Sequence, residues 1–236
     1  MTHHNLDIAK NVVHLIKQGV TGVSLGYAWP TGRNEEEFIL TWDDIPLIQR
    51  ELEELGDLYV EKVLNRDFSM VDVKEFVLPL KIFYISQKKD PDYGIFDYHC
   101  TAATSKLSVT TNGQLYPCAP LTGIEGFNMG SLEGGVQGLN QEIRRIFLSR
   151  SVDQVEQCRS CWVRHLCCGG CARHAVVNNG SMNLPYDKAC EIIRHTFKVA
   201  MKIYTELEEK APKFFKVIER LNRGKYQNWL DPESFN

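Results

Sequence analysis

Cys158-Arg-Ser-Cys161-Trp-Val-Arg-His-Leu-Cys167-Cys168-Gly169-Gly170-Cys171 places five of the chain's eight cysteines within fourteen residues. A Cys-x2-Cys pair folds two sulfurs around one metal centre, a device shared by zinc and iron–sulfur sites. Gly169 and Gly170 let the backbone wrap closely between Cys167 and Cys171. Working outward, Cys100 and Cys118 lie before this stretch and Cys190 after it, with no cysteine in the first 99 residues. A hairpin is predicted from Lys106 to Thr110 and from Gln114 to Pro117, turning at Asn112-Gly113. The positive φ angles of that turn bring Cys100 and Cys118 together. Cys190 falls in the first turn of a predicted helix, where the macrodipole favours a thiolate.

The full spacing is Cys100-x12-Gly113-x4-Cys118, then Cys158-x2-Cys161-x5-Cys167-x3-Cys171, then Cys190. Seven cysteines exceed what one tetrahedral site uses, and two four-ligand sites need eight. One site therefore lacks a cysteine unless Cys168 supplies it, and two centres are the natural count. Clustered cysteines in a chain without an export signal favour metal ligation over disulfides. The opening Met-Thr-His-His-Asn-Leu-Asp has neither the basic nor the apolar region of a signal peptide. A reducing cytoplasm is the expected compartment. The formal net charge is −3, and no predicted helix carries a basic stripe. Nucleic acid and anionic membranes are therefore not expected partners. No apolar run reaches the length of a bilayer span, and 43% hydrophobic residues suffice for a globular core.

Elsewhere the periodicity predicts helices and one strand. Asn5 caps a helix from Leu6 to about Gln18, with Ile8, Val12, Leu15 and Ile16 on its apolar face. Val20 to Tyr27 alternates as a strand. Thr41 opens a long helix with Asp44 as its capping partner, and Ile45, Ile48, Leu52, Leu55 and Tyr59 form its buried stripe. Two apolar runs flank Pro79, and Lys88 to Asp92 reads as a turn or linker. Leu139 to Ser149 is a short amphipathic helix, and residues 158 to 171 are mostly loop. Tyr186 to about Lys210 is a long helix with Ile193, Phe197, Ala200, Tyr204 and Leu207 inward. A last helix after Pro212, with Phe214, Phe215, Ile218 and Leu221, packs on it.

The seven-cysteine spacing with Gly113 in register resembles the SPASM domain at the C-terminus of many radical S-adenosylmethionine enzymes. The resemblance covers roughly residues 97 to 195. The cysteine-rich stretch, with Asn179-Gly180 and Pro185-Tyr186 after it, further resembles the branch that matures ribosomal peptides. By that resemblance Cys158, Cys161, Cys167 and Cys190 bind a distal 4Fe–4S cluster, and Cys100, Cys118 and Cys171 bind a proximal one. Some members supply the fourth proximal ligand from a cysteine six residues before the first motif cysteine, but that position here is Gly94. Asp97, His99, Cys168, water or a substrate thiol are the remaining candidates. Cys168 stands where the family pattern leads one to expect glycine, and an unused thiol is its plainer reading. His165 and His174 read as hydrogen-bond donors to sulfur or as solvated residues. Trp162 reads as a shield over a cluster or as core. His3 and His4 read as tag remnants or surface residues.

The family's catalytic cluster is held by Cys-x3-Cys-x2-Cys near the start of a (β/α) barrel, and this sequence has no such motif. No residue is assigned a catalytic role, no S-adenosylmethionine-binding residue is assigned, and the chain is not expected to act alone. The fold expected is α+β, a remnant of a partial (β/α) TIM-like barrel followed by a SPASM domain of β-hairpin, cysteine-rich loops and C-terminal helices. The expected divisions are a barrel remnant over 1–67, a connector over 68–96, the iron–sulfur domain over 97–195 and a helical extension over 196–236. The chain thus resembles the C-terminal part of a larger enzyme, from a split or truncated gene or a cut piece. The function implied is an auxiliary-cluster domain of a peptide- or protein-modifying oxidoreductase, serving electron transfer or substrate anchoring. S-adenosylmethionine and a third 4Fe–4S cluster would belong only to the complete enzyme. Implied partners are a ribosomally made peptide or protein substrate, the missing N-terminal barrel polypeptide, and a reductant such as ferredoxin or flavodoxin. A stand-alone electron carrier and a zinc-stabilised binding module are the competing functions.

Overall fold

The computed structural model describes residues 1–30, 36–87 and 100–221, without the side chains of residues 36, 220 and 221. The Lys88–Asp92 turn, Gly94, Asp97 and His99 lie outside the described residues, as does the side chain of Leu221. The chain divides into a helical unit, Met1–Gly94 with Asp187–Asn236, and a cysteine-rich unit, Ile95–Tyr186.

The helical unit is built from α1 (Ile8–Lys17), α2 (Ile45–Leu64), α3 (Lys74–Gln87), α8 (Asp187–Lys210) and α9 (Phe214–Leu221). Ile45, Ile48, Leu52, Leu55 and Tyr59 of α2 are all buried, as their 3.6-residue spacing predicts. The helix starts at Ile45, not Thr41, and Asp44 just before it makes no side-chain bond to the helix: its carboxylate accepts from the Thr41 N–H (2.7 Å) and hydroxyl (2.9 Å). His3 lies against the same carboxylate at 2.8 Å, so it is a structural residue of this fold. On α1, Ile8 and Val12 are buried, but Leu15 is 41% exposed. On α8, Ile192 is buried where Ile193 was expected, beside Phe197, Ala200, Tyr204 and Leu207. Phe215 of α9 packs on Tyr204 of α8 (4.7 Å between ring centres) and stacks on Tyr84 of α3.

Two segments depart from expectation. Pro79 does not divide its segment; it sits inside α3, itself buried. Proline removes one backbone bond and crowds the preceding turn. Burial of Phe76, Val77 and Leu80 in the contact with α8 and α9 outweighs that cost. The Val20–Tyr27 strand contracts to one parallel bridge between Val23 and Val73. Its physical reason is the neighbour: the chain enters α3 immediately after Val73, so no second strand residue is on offer. The Glu75 carboxylate substitutes, accepting from the Leu25 N–H at 2.7 Å.

Gly56 marks the crossing of α2 and α8. A Cβ there would lie 2.6 Å from Val199 Cγ1. Alanine favours helix by about 1 kcal/mol over glycine, whereas overpacking costs about 1–3 kcal/mol. Val199 is β-branched and stiff at χ1 in a helix, so it does not swing aside. Gly56→Ala is expected to lower unfolding stability by about 1 kcal/mol. Denaturant titration checks this, and Val199→Ala in the same chain should recover the loss.

The cysteine-rich unit carries a three-stranded antiparallel sheet of β1 (Ser108–Val109), β2 (Gln114–Tyr116) and β3 (Gly130–Ser131), in that order. The register pairs Ser108 with Tyr116 and Val109 with Leu115. The turn differs from a two-residue Asn-Gly turn. Gly113 alone takes positive φ (+77°), and its N–H donates to the Thr110 carbonyl (3.0 Å). This is the three-residue loop in which a left-handed glycine follows an ordinary turn. β3 carries little periodic signal in sequence. Its Gly130 is required, because a Cβ would stand 2.5 Å from the Gly138 carbonyl oxygen. Residues 158 to 171 are mostly loop, as expected, interrupted by two single helical turns, α5 (Glu156–Arg159) and α6 (Arg164–Cys167), and α7 (Ala172–Asn179) follows. α4 (Gln141–Ser149) is capped by Asn140, whose side chain accepts from the Glu142 and Ile143 N–H groups. Leu115, Leu121, Met129, Ile143, Phe147 and Met182 form the core, with Cys100 and Cys118 packed against it.

Candidate metal centre

Among the described residues, which include all eight cysteines, no disulfide forms. Six of the seven motif cysteines lie in the cysteine-rich unit, and Cys190 lies on α8 of the helical unit. Cys118 follows β2, and its neighbours in charge are Cys100, Cys171 and Lys106. Burial pushes the Cys118 thiol up; the Leu121 backbone N–H opposes this, and the charges of Cys100 and Cys171 reinforce it. The Ala102 N–H donates to Cys100 Sγ at 3.3 Å. The three sulfurs thus come from the chain entering the hairpin, the chain leaving it, and the residue before α7.

Cys158, Cys161 and Cys167 form the other association. The Cys161 N–H donates to the Cys158 carbonyl (2.9 Å), the local turn that a Cys-x2-Cys pair requires. Burial pushes the Cys167 thiol up, opposed by the N–H groups of Gly170 and Gly169 and reinforced by the charges of Cys158 and Cys161. Gly169 (φ +85°) and Gly170 (φ +67°) are both left-handed, which is how two successive N–H groups turn toward one sulfur. Among the described residues no three Cys, His, Asp or Glu side chains are arranged to hold a single metal ion.

Cys168 adopts φ +56°, which explains why glycine is at home at this position. It is buried, and its thiol lies 3.5 Å from the His165 carbonyl. Arg164 donates to the His165 ring at 2.9 Å. Trp162 is 48% exposed and is not core.

Arg150 is the residue that sequence reading missed. Its guanidinium donates to the carbonyls of Gly169 (2.7 Å), Gly170 (3.2 Å) and Met182 (3.1 Å). Burial lowers its pKa, against the opposing pull of Cys158, Cys171, Cys100 and Cys167. One cation therefore stands in the field of cysteines from both associations. An arginine after an amphipathic helix has no distinctive spacing, and only the fold brings it to the glycine strap.

No protein-family model and no curated protein matches the chain in sequence. In fold it is similar to a solved structure of hexahistidine-tagged anSMEcpe with bound AdoMet, at 17% identity and TM-score 0.62, over 90% of this chain and 55% of that one. It is also similar to native anSMEcpe with bound AdoMet, at 18% identity and TM-score 0.53, over 92% of this chain and 56% of that one. The likeness is one of fold, and the chain spans about half the length of these neighbours. Among the described residues no helix is long and apolar enough to cross a membrane.

Proposed function

We propose that this chain is the auxiliary iron–sulfur part of a radical S-adenosylmethionine enzyme that modifies a peptide or protein. What supports the reading is the seven-cysteine spacing with Gly113 in register, together with the bonds from Arg150 to the Gly169 and Gly170 carbonyls between Cys167 and Cys171. The fold of anSMEcpe, a radical S-adenosylmethionine enzyme, supports it. In this reading Cys100, Cys118 and Cys171 hold one 4Fe–4S cluster, and Cys158, Cys161 and Cys167 hold a second with Cys190 as the fourth ligand. Bound clusters supply one-electron transfer at a potential set by burial and hydrogen bonds to sulfur. The chain's own groups then act in defined ways. The Leu121 N–H opposes the burial that raises the Cys118 thiol, the Gly169 and Gly170 N–H groups do the same for Cys167, and Arg150 offsets negative charge on the cysteines. Ligation requires deprotonated sulfur, so loading releases protons and strengthens as pH rises.

The barrel reading of residues 1–67, the S-adenosylmethionine site with its third cluster on another polypeptide segment, a ferredoxin or flavodoxin reductant and a cytoplasmic setting belong to the same proposal. The test is anaerobic purification and reconstitution, followed by iron and acid-labile sulfide analysis. The expected preparation is brown, with broad absorption near 400 nm and iron matched by sulfide. A colourless protein with stoichiometric zinc and no sulfide would replace this reading with a zinc-stabilised module.

A further inference from the structure

The helical unit contains a cavity of about 410 Å3 where the C-terminal ends of α2 and α8 meet the start of α9. No cysteine lines it, so its chemistry is independent of the iron–sulfur reading. Leu64, 39% exposed, and the edges of the largely buried Val63, Phe68 and Phe214 supply its apolar wall, the two phenylalanine rings being stacked at 6.0 Å. Arg66, Lys210 and Lys213 also line it, and all three are exposed. Lys210 is partly neutralised by Glu206 at 2.7 Å, whereas among the described residues no ion pair involves Arg66 or Lys213.

Arg66 is in the wrong conformation for an arginine. It follows the cap of α2 with φ +59°. The Arg66 N–H donates to the Val63 carbonyl (3.0 Å) and the Asp67 N–H to the Lys62 carbonyl (2.8 Å). That pair of bonds defines the Schellman ending, whose left-handed position is ordinarily glycine. Asp67 anchors the turn, bonding Lys62 (2.6 Å) and the Ser69 N–H (3.0 Å). Left-handed conformation costs an ordinary residue free energy, and such outliers gather at ligand sites. Here the outlier carries a guanidinium at the mouth of an aromatic-walled cavity within the size range of small-molecule sites.

We propose that this cavity binds a small organic anion, a carboxylate borne on an aromatic or branched apolar body. The body lies against Leu64 and the accessible edges of Phe68 and Phe214, and the carboxylate meets Arg66, with Lys213 adding charge. Glycine at position 66 would relieve the backbone and remove the cation together, so stability and binding move in opposite directions.

The test titrates the whole chain with 4-phenylbutyrate and with its neutral analogue 4-phenylbutanol, by calorimetry at low salt. Saturable one-to-one binding is expected for the acid, about tenfold tighter than for the alcohol, as a charge-assisted hydrogen bond implies. Arg66→Gln should weaken the acid by about tenfold and leave the alcohol unchanged. Arg66→Gly should raise Tm while weakening the acid to the same degree. Acetyl-Ala-Phe with a free C-terminus, run in parallel, tells whether a peptide end or a free acid is preferred, and either preference upholds the carboxylate chemistry. Absence of saturable binding by both acids, equal affinity for acid and alcohol, or Arg66 variants that bind the acid as the parent does would each overturn the proposal.

Discussion

Cys161→Ala, reconstituted anaerobically, is expected to retain about four irons where the parent retains about eight, because one thiolate set loses a member and the other does not. The substitution is mild for the backbone. Position 161 lies in the turn between α5 and α6, and its N–H bond to the Cys158 carbonyl survives in alanine. The loss is therefore one sulfur beside Cys158 and Cys167. Cys118→Ala is the converse, removing a sulfur from the neighbourhood of Cys100 and Cys171. Cys190→Ala should behave like Cys161→Ala and not like Cys118→Ala. Iron and sulfide should fall together in each variant, and the double variant Cys118→Ala/Cys161→Ala should lose both clusters. Far-UV circular dichroism separates loss of metal from loss of fold. A Cys161→Ala protein with an unaltered iron count, or one that keeps its helices but loses all iron, would defeat the division into two sets.

Arg150→Met is expected to destabilise the cysteine-rich unit by about 3 kcal/mol and to impair loading of both sites. Three carbonyl oxygens lose a charged donor at once. A hydrogen bond to a charged group contributes about 1.5–3 kcal/mol, but the site is only partly buried and water recovers some of that. The loss should concentrate on the Gly169–Gly170 strap. Both glycines hold left-handed backbone between Cys167 and Cys171, and Arg150 is bonded to both carbonyls. Arg150→Lys keeps the charge but not the planar fork, so it should fall between parent and methionine variant. Hydrogen exchange at residues 168–172 reads the local effect, and iron content reads the consequence. If exchange in the strap is unaltered by methionine, Arg150 is not what fastens it.

Much of the helical architecture was legible in sequence because it obeys one periodicity. The α2 stripe from Ile45 to Tyr59 is buried as spaced, and Phe214, Phe215 and Ile218 are buried together on α9. The hairpin around Gly113 was legible for a different reason, since turn chemistry is local. Where the reading failed, a neighbour distant in sequence was responsible. The core around Phe76 and Leu80 keeps Pro79 helical, and entry into α3 after Val73 leaves the Val23 segment with a single bridge.

The candidate site divides the same way. Identity and spacing of the seven cysteines, the glycines between Cys167 and Cys171 and the absence of a Cys-x3-Cys-x2-Cys motif are properties of the sequence by itself. They determine which chemistry is on offer, because ligand type and local reach are set within a few residues. The tertiary structure decided which thiols feel one another's charge, that Arg150 reaches the glycine strap 19 and 20 residues away, and that Arg66 lines a cavity with Phe214. Those facts depend on non-local contacts, and an exposed arginine and a half-buried one are the same letter until the chain folds around it.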